Sequence, residues 1–146
     1  MNNTADTQMF DLLGELIHGF KQRLQESTAL SEAGLAPFQA RTLGMIARHP
    51  AQSQHHLVTR SGRDKAQIAR LLKELEALGL IQRQPSPDDR RAQVVSLTEK
   101  GWAIHQQVVA ARSALLQQAF SNVSEEERRQ FAQVLQKMQQ NLAAAQ

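Results

Sequence analysis

Apolar residues recur at spacings of three and four at Phe10, Leu13, Ile17, Phe20 and Leu24, which predicts an amphipathic helix running to about residue 28. A looser segment containing Gly34 follows it. Pro37 suits the first turn of a second helix, where its missing N–H costs nothing. Phe38, Leu43 and Ile46 form the apolar side of that helix, which must stop before Pro50. Ser53 is a good N-cap for a short third helix holding Leu57 and Val58. Arg60-Ser61-Gly62-Arg63 then turns the chain, with Gly62 free to take positive φ. A fourth helix starts near Asp64, whose carboxylate suits a helix N-terminus, and ends at Gly79. Its apolar face is Ile68, Leu71, Leu72, Leu75 and Leu78.

Two short apolar segments, 80–83 and 94–97, flank a charged stretch with two prolines at 84–92 and read as a β-hairpin with a long tip. Thr98 can cap a fifth helix carrying Trp102, His105, Val108, Val109, Leu115, Leu116 and Phe120. Ser124 and Glu127 form the S-x-x-E capping box of a sixth, whose stripe is Phe131, Val134, Leu135, Met138 and Leu142. The fold class is mainly α, about six helices with a small β-hairpin wing. Short helix, glycine turn, basic-faced helix and charged hairpin, in that order, make a winged helix-turn-helix.

The net charge of +3 changes the picture once it is located. Between Arg60 and Arg91 stand eight bases and five acids, so this central stretch carries the entire positive excess of the chain. A localised basic patch is the footprint of a polyanion-binding surface. At 100° per residue the outer face of the fourth helix is Arg63, Ala66, Arg70, Lys73 and Ala77, with Lys65 and Gln67 on its flanks. The small alanines let a phosphate backbone approach closely. Gln67 suits paired hydrogen bonds to adenine, and Arg70 or Lys65 to guanine, each worth roughly 1–3 kcal/mol of discrimination. Lys73, Arg63 and Ser61 are placed for phosphate contacts, which position the protein without specifying sequence.

Residues 62–101, GRDKAQIARLLKELEALGLIQRQPSPDDRRAQVVSLTEKG, go beyond a generic motif. The string LEALGLIQR, then D-x-R, then SLTEKG resembles the MarR family of bacterial transcriptional regulators. The resemblance implies that Arg91 reaches into a minor groove, that Asp89 holds the wing by pairing with an arginine, and that Arg90 contacts phosphate. It implies terminal helices that interlock across a two-fold axis, with Phe10, Leu13, Ile17, Phe131, Leu135 and Met138 as candidates for the seam. On that view residues 1–36 are an N-terminal dimerisation helix, 37–98 the DNA-binding lobe, and 99–146 C-terminal dimerisation helices of one intertwined domain. The expected operator is an imperfect palindrome read by two helices about 34–36 Å apart. A small aromatic or phenolic effector of the kind such relatives bind would sit near Ile17, His18, Phe38, Leu43, Ile46 and Trp102. Where relatives open the recognition helix with Ser or Thr, this chain has Lys65-Ala66-Gln67-Ile68-Ala69-Arg70, which points to a different operator sequence.

Other chemistries are not supported. The absence of cysteine removes disulfides, thiolate metal sites and thiol redox sensing. The five histidines are scattered, and His55 and His56 would point about 100° apart on a helix, so no metal or other cofactor is expected. Neither H-E-x-x-H nor a phosphate-binding glycine loop is present, so no enzyme is expected. No run of about 18 apolar residues could span a membrane, and the polar start lacks the features of a signal peptide. A cytoplasmic homodimer bound to double-stranded DNA is the expectation, since a single chain with 4% aromatics is poor in large core side chains. The alternative is a structural DNA-binding protein without operator specificity.

Overall fold

A computed structural model describes residues 3–145. The chain divides into two compact units, Met1–Arg112 and Ser113–Gln146. In the first, helix α1 (Asn3–Gln25) is followed by α2 (Thr28–Ala33), α3 (Pro37–Arg48), strand β1 (Gln52–Ser53), α4 (Gln54–Ser61), α5 (Lys65–Ala77), β2 (Ile81–Pro85) and β3 (Gln93–Leu97). Helix α6 (Glu99–Ala119) begins in this unit and ends in the second, which also holds α7 (Glu125–Ala144).

The winged-helix pattern stands as the sequence predicts, with two additions. The first helix stops at Gln25 and a separate short α2 follows, where a loose segment was expected. Ser27 ends α1 by turning its hydroxyl back onto the Leu24 carbonyl at 2.6 Å, a local competition with the helical ladder that serine favours. The second addition is β1, two residues long. Gln52 and Ser53 pair with Val95 and Val94, so the sheet has three antiparallel strands in the order β1-β3-β2. Two residues are too few for an alternating pattern to show. Leu78 also differs from expectation: α5 ends at Ala77, and Leu78 is exposed beyond its apolar face.

The caps follow their chemistry. The Ser53 hydroxyl accepts from the His56 N–H at the start of α4, and the Asp64 carboxylate accepts from the Gln67 N–H at 2.9 Å at the start of α5. Between them Gly62 takes φ +65°, a left-handed geometry that costs glycine little. In the second unit the predicted capping box forms in both directions: Ser124 N–H donates to Glu127, and Glu127 N–H donates to the Ser124 hydroxyl. The Ser124 backbone N–H, and after it the Ser124 side chain, hold the Glu127 carboxyl below its ordinary pKa.

Among the described residues the buried apolar core runs from Leu35 to Leu97. Leu43 and Ile46 of α3, Leu57 of α4, Ile68, Leu72 and Leu75 of α5, and Leu80, Ile81 and Val95 of the hairpin are all but inaccessible. The start of α6 is welded to the end of α5. Thr98 donates its hydroxyl to the Gly79 carbonyl at 2.6 Å and accepts from the Gly101 N–H at 3.0 Å, and Lys100 Nζ donates to the Leu78 carbonyl at 2.8 Å. Gly101 packs so closely that a Cβ there would stand 2.0 Å from the Leu80 oxygen. Much of the L-G-L…T-E-K-G string is therefore the chemistry of one joint.

Candidate nucleic-acid interface

Helix α5 turns Ile68, Leu71, Leu72 and Leu75 into the core and thereby presents Lys65, Ala66, Gln67, Arg70 and Lys73, all exposed, on its other side. The first turn of this face bears no acid apart from the capping Asp64, whose carboxylate is held by the Gln67 N–H. The wing is braced by Ser86 N–H donating to the Ala92 carbonyl at 2.8 Å. The Asp89 carboxylate accepts from the backbone N–H of Arg91 at 2.9 Å. Asp89 thus shapes the wing through the main chain, where pairing with a guanidinium was expected. That arrangement leaves the side chains of Arg90 and Arg91 exposed, with no ion pair among the described residues.

Three basic-patch residues behave differently from the sequence reading. Arg83 is spent internally: Nη1 donates to Gln54 Oε1 at 3.2 Å, and Nε lies 3.3 Å from Glu76 Oε2 without hydrogen-bond alignment. The single proton of the Ser61 hydroxyl goes to the Val58 carbonyl, and its oxygen accepts from Arg63 N–H. Ser61 therefore builds the turn and has no hydroxyl proton left for a phosphate. The Arg63 guanidinium lies over the Phe38 ring, 3.7 Å from its centroid, a cation–π arrangement.

Arg63 faces a cavity of about 580 Å³. Its walls are Lys21 and Leu24 of α1, residues of α3 from Pro37 to Arg48, and His105, Val108, Val109 and Arg112 of α6. Of the six pocket residues expected from sequence, only Phe38 lines it. Leu43 and Ile46 belong to the core, while Ile17, His18 and Trp102 are exposed outside the lining. The cavity's own cations were missed because they are spread over four segments. A signal did exist: Arg41, Gly44 and Arg48 fall at spacings of three and four, as do His105, Val108 or Val109, and Arg112. Burial, then the charges of Arg112 and Arg48, hold His105 below its ordinary pKa.

Residues 33–92, from α2 through the wing tip, match the MarR family. The chain is 27% identical over 138 residues to the HTH-type transcriptional repressor NicR of Pseudomonas putida, covering 91% of this chain and 87% of that one. The winged-helix segment of this chain is similar to that of MarR-family regulators.

The chain is also 29% identical over 109 residues to the HTH-type transcriptional regulator YdgJ of Bacillus subtilis, covering 75% of this chain and 66% of YdgJ. A crystal structure of a MepR–DNA complex from S. aureus superposes with a TM-score of 0.77 at 26% identity, covering 90% of this chain and 94% of that one. Members of the MarR family are transcriptional regulators and not enzymes. No helix among the described residues is long and apolar enough to cross a membrane.

Proposed function

We propose that this chain binds duplex DNA as a homodimer, reads an imperfect palindromic operator, and acts as a repressor released by a small-molecule effector. The observation that carries the reading is the outward face of α5, where Lys65, Ala66, Gln67, Arg70 and Lys73 stand exposed on a helix whose other face is locked into the core. A helix of this kind enters a major groove by its N-terminal end. Gln67 and Arg70 read bases, Lys73 neutralises phosphate, and Arg91 enters the adjacent minor groove with Arg90 on the backbone. The relative solved with DNA and the relative named a repressor both support this assignment.

A second copy of the chain completes the molecule. Phe10 and Ile17 on α1, and Phe131 on α7, are large exposed apolar side chains, with Leu13, Leu135 and Met138 half-buried beside them. An apolar stripe of that width on a helix normally faces a partner. Effector release is supported by the cavity, which lies within the size range of small-molecule sites.

Selection of bound sequences from a random DNA pool tests the reading. Enrichment of a palindrome with half-sites one helical turn apart is expected. Arg70→Ala should relax preference at one half-site position, and Arg91→Ala should weaken binding and lower A/T preference at the flanks. If affinities for random and selected duplexes agree within a few-fold at physiological salt, the operator reading fails. Unchanged binding by both variants would overturn the interface.

A further inference from the structure

Resting on the reading of this chain as a DNA-binding regulator, we propose that the cavity binds an organic anion with an apolar body and at least two negative charges, and that Arg63 is the group such a ligand and DNA both engage. Lys21, Arg41, Arg48, Arg63 and Arg112 all line the one concavity, and no acidic residue among the described ones lines it. The cations come from four separate segments. One carboxylate satisfies one guanidinium in a bidentate pair, so a monoanion leaves most of these charges unmatched. The space between them is walled by Leu24, Phe38 and Val108, which are half-buried. An inorganic anion would gain nothing from that surface; an aromatic or alicyclic body would cover it.

Arg63 connects the cavity to the reader. It directly precedes Asp64, the N-cap of α5, and its backbone N–H is fixed by the Ser61 hydroxyl. Its guanidinium, stacked on Phe38, is on the cavity side. A ligand carboxylate paired with that guanidinium keeps it there, whereas a phosphate beside the N-terminus of α5 draws it out. Two ligands competing for one side chain weaken each other by the same factor.

Calorimetry on the intact protein, at constant ionic strength, compares benzene-1,3-dicarboxylate with benzoate and inorganic phosphate. Fluorescence of Trp102, the one tryptophan, serves as an independent readout because its ring meets that of His105 edge-on at 6.0 Å. The dicarboxylate should bind at least ten times more tightly than either comparator, and Arg48→Gln and Arg41→Gln should each narrow that preference several-fold. Equal affinities for all three probes, no dicarboxylate binding at millimolar concentration, or a preference untouched in both variants would overturn the ligand class. In a duplex-binding assay with ionic strength held by chloride, the dicarboxylate should weaken wild-type binding at least five-fold. Arg63→Gln should bind DNA less tightly and lose that response. A response as large as wild type would overturn the role of Arg63. Failure of the wild type to bind any duplex without ligand would overturn the regulator reading, and the role of Arg63 with it, while the calorimetry still decides the ligand class.

Discussion

Between Leu35 and Leu97 fifteen apolar side chains are buried, whereas α7, twenty residues long with an apolar stripe, buries none. The lobe has answered its own hydrophobic pattern: every large residue on the inner face of α5 from Ile68 to Leu75 has a core to enter. Helix α7 has a capping box and a stripe of equal regularity, yet Phe131 and Val134 remain 41% and 49% exposed. Periodicity tells which face of a helix is apolar; it does not tell whether this chain or another copy covers it. The stretch from Leu35 to Leu97 covers most of its own apolar face, whereas the stripe of α7 stays uncovered.

Substitutions should separate the two regions. The largest effect is expected from Leu72→Ala, which opens a cavity in a fully buried site and should cost about 2–5 kcal/mol, read by denaturant unfolding and independent of protein concentration. Gly101→Ala forces the weld apart because the new methyl meets the Leu80 carbonyl; a loss of about 1–3 kcal/mol is expected. An unchanged midpoint would show that this joint is slack. Phe131→Ala should leave the lobe folded and instead weaken self-association about tenfold, near 1.4 kcal/mol, measured by sedimentation across a dilution series. If the variant loses stability equally at all concentrations, α7 is core of a single chain and the contrast collapses.

The smallest effect concerns His105. Its pKa is held below 6.5 in the folded chain, so the unfolded chain takes up the proton first as pH falls. Stability contributed by the neutral ring is then present above pH 6.5 and declines as the pH drops below it. Thermal midpoints from pH 7.5 to 5 should fall in the wild type and fall less in His105→Gln. A bound dianion would favour the protonated ring, so ligand affinity should rise over the same acid range. Equal slopes in the two proteins would sink the assignment.

The elements of the lobe were legible because each is announced locally. Ser53, Gly62 and Asp64 punctuate α4 and α5, and the leucines of α5 fall on one face within a single stretch. The exposed cations of α5 were legible for the same reason, since Lys65, Arg70 and Lys73 share one helix. The cavity was not, because Lys21, Arg41, Arg63 and Arg112 meet only after α1, α3 and α6 have packed. Charge counting also overstated the patch: whether Arg83 meets solvent or Glu76 depends on how β2 lies against α5. Short β1 and α2 escaped for want of length, and the role of Ser61 escaped because a hydroxyl in a turn has two possible duties that composition does not separate.

The joint at Gly101 has a mechanical consequence. Three contacts, from Thr98, Lys100 and the bare Cα of Gly101, tie the start of α6 to the Leu78 and Gly79 carbonyls just beyond α5 and to Leu80. There is no compliant linker at this corner, so the two helices behave as arms of one bell-crank. On the function proposed above, a ligand leaning on His105 or Arg112 would push the long arm, and α5, as the short arm, would change its pitch. Softening the corner should remove whatever antagonism travels through it and leave the competition at Arg63 intact.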